Sequence, residues 1–213
     1  MFNLEKEALI ASGIDRKELI ADYMGKLDCL YQKVLPRMAG LYDPIVKARV
    51  LFEFLWMEKP ARYKSHGQYR LNDVIDAHIS AETKGVGNCL GLTLLYNSLL
   101  RRIGIKAEAL YMENAFGIGP HVLTLLQKKD RLVDVENILP NGFDYKGYLD
   151  NPCRTRWGDR ELVADIFHSI GNECFENGNY IDALKNYNMS IRLNPDYQKA
   201  ILNKAIVIDK IKS

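Results

Sequence analysis

The chain is short of the residues that build metal sites and disulfide frameworks. Its 213 residues include four cysteines and four histidines. Cys29, Cys89, Cys153 and Cys174 stand far apart, with no CxxC pair to suggest a zinc site. Isolated thiols of this kind are expected in a reducing, cytoplasmic compartment, where a buried structural cysteine is the ordinary reading for each. A calcium-loop signature and a cluster of metal-ligand residues are also missing, so no cofactor is implied. Charge of one sign is not in excess either. The 29 basic side chains are nearly matched by 27 acidic ones, which leaves +2. A nucleic-acid protein would show a basic excess or stripe, so that class is set aside. Long apolar runs are absent, and nothing approaches the roughly 18 uncharged apolar residues of a membrane span. The opening "MFNLEKEALIASG" carries Glu5, Lys6 and Glu7 and has no apolar centre, so no signal peptide is expected.

What is present is enough apolar material for a proper core, 47% of residues, in one medium domain with a small appendage. From Asp15 to about Leu35 the pattern is helical, with Asp15 and Glu18 placed as a capping box and Leu19, Ile20, Tyr23, Leu27 and Leu30 at helical spacing. "DPIVKARVLFEFLWMEKP" predicts a second helix, capped by Asp43, opened by Pro44 and stopped at Pro60. "YRLNDVIDAHISA" predicts a short helix leading into the glycine turn at Gly85 and Gly87. From Leu90 to Ile103 apolar residues are almost continuous on the helical period, and Gly104 ends the helix. The period then changes to two: "KAEALYM", "HVLTLLQ" and "RLVDVEN" read as strands, the last two joined by the tight turn "KKDR". Helices followed by a meander predict an α+β fold.

Cys89 is the residue in this order that packing explains least. "GVGN" turns the backbone ahead of it, and a strongly apolar helix begins at it. Open N–H groups and the positive end of the helix dipole favour a thiolate at that place. A nucleophilic thiolate needs a base and a group to orient it. His66 and His78 lie upstream, and His168 lies far downstream in a helical stretch. His121 opens a strand after the loop "FGIGP".

This arrangement resembles the transglutaminase-like branch of the papain-like superfamily. There a Gly-x-Cys begins a helix that ends in a phrase like "LLRRIGIKAEALY", and a His-led strand follows. "VLFEFLWMEKPARYK", upstream of Cys89, is similar to the helix preceding the nucleophile. The resemblance runs from about Asp43 to Asn141. It implies a helical N-terminal part packed on an antiparallel sheet and an intracellular enzyme acting on an amide or peptide bond. Cys89 would attack the carbonyl, His121 would shuttle the proton, and an acid would hold the imidazole. Protease, deamidase and transglutaminase all remain open, with a protein or peptide as substrate. The family also implies oxyanion donors, the backbone N–H of Cys89 and a second group for which Gln68 and Tyr69 lie in the right region. The loop "MENAFGIGP" is a candidate cover for a substrate groove.

The acid can be approached by register. If Lys129 and Asp130 form a two-residue hairpin turn, Gln127 pairs with Leu132 and His121 lies opposite Ile138. Asp134 then falls opposite Leu125, away from His121, although it has the family's residue type. Glu136 shares a face with Asp134 and lies nearer. Geometry favours Glu136, residue type favours Asp134, and both stay open; Asn137 points to the other face.

The C-terminal stretch differs. "FDYKGYLDNPCRTRWGDRE" reads as a polar linker. "ADIFHSIGNECFENGNYIDALKNYNMSIRLNP" resembles the 34-residue tetratricopeptide repeat, with Gly171, Ala183 and Ser190 letting two helices approach and Phe167, Phe175 and Tyr187 filling between them. The chain therefore divides into residues 1–158 and residues 159–213, the latter holding one full repeat over 164–197 and a terminal helix. One and a half repeats cannot bury an apolar face alone. The unit is expected to dock on the first domain, where it would buttress it or edge the substrate cleft, or to pair with its copy in a homodimer. A different class of function stands beside the enzyme: a catalytically silent scaffold that binds partners through the repeat unit.

Overall fold

The computed structural model describes residues 2–115, 117, 119–129 and 131–212. Its order is α1 (Leu4–Ala11), α2 (Lys17–Val34), a 3-10 turn (Leu35–Met38), α3 (Pro44–Glu58), α4 (Leu71–Ile79), α5 (Cys89–Arg102), β1 (Ala107–Met112), β2 (His121–Lys128), β3 (Arg131–Val135), β4 (Arg154–Trp157), α6 (Asp159–Glu176), α7 (Tyr180–Leu193) and α8 (Gln198–Lys212). The sheet is antiparallel throughout, in the order β3-β2-β1-β4. The fold class is α+β.

The helix α5 is the axis of the molecule. Every residue from Leu90 to Leu100 is buried, which explains why its apolar residues run almost without interruption rather than on one stripe. The apolar face of the sheet lies on it, and α1 to α4 wrap the remaining sides. At α3 the expected cap is present: Asp43 accepts the Ile45 N–H at 2.8 Å, with Pro44 leading the first turn. At α2 the expected cap is not formed. The helix starts at Lys17 behind Arg16 with no side-chain cap, so Asp15 and Glu18 make no capping box. The helix α1, which carries no strong periodic signal, buries Leu4, Ala8 and Leu9 in the main core.

The hairpin register is the one that the residue types require. Gln127 pairs with Leu132 and Leu125 with Asp134, which puts Leu126, Val133 and Val135 toward the core. Asp130, half of the expected turn, lies outside the described residues. The stretch read as a linker instead contains strand β4, whose Trp157 pairs with Ala109 and stacks on Tyr111 with ring centroids 3.9 Å apart. A strand of four residues with an ion-pairing Arg at every second position carries too little apolar alternation to be read from sequence.

The C-terminal helices are seated on this body. Leu162, Val163 and Ile166 of α6, with Tyr197 and Ala200, belong to the same core as α5. Arg101 pairs with Asp159, and Arg70 with Glu173 at 2.6 Å. Docking within the chain thus buries the apolar face of the helical unit. Between α6 and α7 the approach is close: a Cβ on Gly171 would come within 2.5 Å of the Tyr187 ring. No described helix is long and apolar enough to cross a membrane.

Candidate active site

Cys89 is the first residue of α5, and local packing fixes it there. Asn88 is the cap, its side chain accepting the Gly91 N–H at 3.0 Å. That leaves the amides of Cys89 and Leu90 unclaimed among the described residues. The glycines around it are needed for close approach rather than for a left-handed turn. A Cβ on Gly87 or on Gly91 would come within 2.7 or 2.3 Å of the Gln68 carbonyl oxygen. That same carbonyl accepts the Asn88 N–H at 3.0 Å. The 62–68 segment therefore lies flat against the start of α5, and the nucleophile's turn has no room for side chains.

His121 is the first residue of β2 and Glu136 follows β3. Glu136 Oε2 lies 2.7 Å from His121 Nε2, and Cys89 lines the same cleft as that ring. With Nε2 engaged by the carboxylate, Nδ1 is the nitrogen left for sulfur. The carboxylate is fully buried. It also accepts the Ile138 N–H at 3.3 Å, and the Tyr148 ring lies 5.6 Å from that of His121. Burial disfavours a charged His121, but the hydrogen bonds and charges of Cys89 and Glu136 outweigh it and push its pKa up to about 10. The ring is therefore an imidazolium at neutral pH, the partner that a nucleophilic thiolate requires.

A buried polar network holds these parts in register. Thr124 of β2 donates to Asn97 of α5 at 2.6 Å. Asn137 donates to Thr124 at 2.9 Å and to Thr93 of α5 at 3.2 Å. Each residue is buried, so a slip of either strand would orphan several polar groups at once. Asn137 thus points to the far face, as its parity requires, and leaves Glu136 facing His121.

The structure separates the remaining candidates. Asp134 lies opposite Leu125 and binds Arg154 twice, at 2.7 and 3.1 Å; it is a structural ion pair, not the partner of His121. Neither Gln68 nor Tyr69 lines the cleft around Cys89. Gln68 contributes its backbone, and Tyr69 is buried beside Arg70, whose guanidinium lies 4.9 Å from its ring. Tyr63 is the residue that sequence reasoning missed. It lines the cleft, and burial together with the charges of Cys89 and Glu136 raises its pKa. Its signal was positional only, a tyrosine in the segment that the glycines admit.

The cleft has a volume of about 410 Å³. Cys89, His121, Tyr63 and Tyr148 line it together with Asp165 and His168 of α6. Of the other histidines, His78 is buried in α4 and His66 is exposed, and neither lines the cleft. Among the described residues no group of three or more His, Cys, Asp or Glu could hold a metal ion. Comparison with protein-family models, with curated proteins and with solved structures finds no match to this chain.

Proposed function

We propose that the chain is a cysteine-dependent acyl-transfer enzyme or hydrolase acting on an amide or peptide bond. The observation that carries this reading is His121 beside Cys89 in one cleft, with the buried Glu136 carboxylate 2.7 Å from one nitrogen of the ring. A merely structural cysteine needs neither a charged imidazole nor a buried carboxylate behind it. The order of elements supports a transglutaminase-like architecture, and the paired α6 and α7 support a tetratricopeptide-like appendage. Four free cysteines support a reducing, cytoplasmic setting.

In this reading Cys89 sulfur attacks the carbonyl carbon, and the carbon–oxygen π electrons move to oxygen. The unclaimed amides at the head of α5, with Tyr63 as a second donor, receive that oxyanion. Collapse of the intermediate expels the amine, which takes its proton from His121 and leaves a thioester. An incoming water or amine then gives its proton to His121 as it attacks the thioester, and the thiolate departs. Glu136 keeps the imidazole oriented and offsets its charge through both steps.

Alkylation tests the reading directly. At pH 6.5 Cys89 should react with iodoacetamide at least tenfold faster than Cys29 or Cys153, and His121→Ala should abolish the difference. Cys89→Ser should end turnover of amide probes while changing stability by less than about 1 kcal/mol. Equal reactivity of the exposed thiols and Cys89 would instead support a binding scaffold of the same architecture.

A further inference from the structure

Part of the cleft that holds Cys89 is lined by the C-terminal unit, through Asp165, His168 and Tyr197. Asp165 brings a carboxylate to it, yet no Lys or Arg is among the described lining residues. One oxygen of Asp165 accepts the Tyr197 hydroxyl at 2.6 Å. The other has no hydrogen-bond partner among the described residues, and the side chain is 14% exposed. His168 Nδ1 stands 3.6 Å from the oxygen that Tyr197 also binds. Asn203 Nδ2 donates to His168 Nε2 at 3.2 Å, which leaves Nδ1 as the ring's donor. Nδ1 faces the Tyr197 oxygen at 3.2 Å. The hydrogen bonds therefore run in one direction, from His168 to Tyr197 to Asp165.

Around this carboxylate stand aromatic faces. Tyr197 meets Tyr111 edge-on at 5.8 Å and His168 at 4.8 Å. Trp157, stacked beneath Tyr111, fixes that ring in place. A carboxylate with an open oxygen beside aromatic rings is the combination that receives an organic cation: the carboxylate supplies the ion pair and the rings supply cation–π contact. At the catalytic side His121 is already matched by the Glu136 carboxylate at 2.7 Å. Asp165 is therefore the carboxylate of the cleft that no Lys or Arg among the described lining residues meets.

We propose that Asp165, boxed by Tyr111, Tyr197 and His168, is a cation subsite that takes a lysine- or arginine-type side chain of the substrate flanking the amide attacked by Cys89. This rests on the thiol chemistry proposed above for its catalytic half, but the subsite itself can be tested without it. The C-terminal unit then selects the substrate rather than recruiting a separate partner.

Two measurements decide it. The first compares alkylation of Cys89 by cationic 2-bromoethylamine and by neutral iodoacetamide, each relative to glutathione, at fixed ionic strength. Wild type should favour the cation at least fivefold. Asp165→Asn should lose that preference, Asp165→Glu should keep most of it, and Asp209→Asn, the same charge loss on an exposed face of α8, should leave it unchanged. The second is titration with n-butylammonium chloride, read from the amide NMR shifts of residues 165–172. Saturable shifts in wild type, weakened at least fivefold in Asp165→Asn, support the subsite even if Cys89 proves unreactive. No saturable shift, or a preference that survives Asp165→Asn while Cys89 still reacts, overturns it. Loss of Cys89 reactivity alone overturns the thiol chemistry and leaves the cation site to the NMR result.

Discussion

Glu136 and Asp134 sit two residues apart on one face of the chain, yet they have opposite employment. Glu136 reaches His121 at 2.7 Å, whereas Asp134 is held by the Arg154 guanidinium at 2.7 and 3.1 Å. The two should therefore separate in mutagenesis. Glu136→Gln should reduce turnover of an amide probe by two orders of magnitude or more, since the imidazolium loses both its orientation and its counter-charge. Asp134→Asn should keep most turnover and instead lower the denaturation midpoint, because it leaves Arg154 without its anion at a place where Asp134 is only 2% exposed. Steady-state kinetics and urea titration on both variants check this. A larger loss of turnover in Asp134→Asn would show the hairpin register to be shifted in the working protein.

Two buried histidines should give stability opposite pH slopes. His121 is raised from the ordinary 6.5 to about 10. Between those values the folded chain holds a proton that the unfolded chain has released, so this contribution is full below 6.5 and lost as pH rises toward 10. His78 goes the other way. Burial first, then the charges of Arg62, Lys59 and Lys33, push it down to about 3, and neither ring nitrogen has a hydrogen-bond partner. Between 6.5 and 3 the unfolded chain gains a proton that the folded one refuses, so stability falls as pH falls through that window. Urea midpoints measured from pH 4 to pH 10 should show both limbs. His121→Gln should flatten the alkaline limb and His78→Phe the acid one.

The parts of this molecule legible in its sequence are those where one residue type meets one local demand. The apolar period made α5 plain, Asp43 with Pro44 marked the start of α3, and parity along β2 and β3 put Glu136 rather than Asn137 on the His121 face. What was hidden depends on distance in sequence. Tyr63 owes its place to glycines at 87 and 91 that admit its segment, and Asp165 and His168 reach the cleft only because α6 docks against α1, α5 and the β1–β4 side of the sheet. Strand β4 was hidden for another reason. Its Arg154 and Arg156 point to ion pairs with Asp134 and Glu108, so polar residues occupy the alternation that usually announces a strand.

Removal of α6 to α8 should cost the fold, not merely a module. Leu162, Val163, Ile166 and Tyr197 lie in the main core and are at most 4% exposed. At about 1.5–3 kcal/mol for each buried apolar side chain, their loss alone rivals the whole stability of a domain this size. A chain ending at Gly158 should be insoluble, or should melt at least 10 °C lower with exposed apolar surface that binds a hydrophobic dye, on the scale of about 2–4 °C per kcal/mol. A fragment as heat-stable as the full chain would make the C-terminal helices a separate module, and their part in the cleft would fall with that result.

Gly91 offers the sharpest test of how the nucleophile is placed. It lies in the first turn of α5, at an ordinary helical φ, where alanine would normally be the better helix former by about 1 kcal/mol. Here that preference is overruled by space. A Cβ would stand 2.3 Å from the Gln68 carbonyl oxygen and 2.6 Å from Val74 Cγ2. The first of these is backbone and also accepts the Asn88 N–H, so it cannot yield without loosening the cap of the helix. Gly91→Ala should therefore destabilise by about 1–3 kcal/mol, the usual cost of overpacking. It should also slow Cys89 alkylation at pH 6.5 by more than tenfold, because moving the Gln68 segment shifts the thiol from His121. Gly104→Ala is the contrast. That glycine has φ +76° with nothing within 4 Å of the added carbon, so it should destabilise through backbone strain and leave the alkylation rate untouched. Equal effects of the two variants on alkylation would mean that the rate follows global stability, and that the 62–68 segment does not position the thiol.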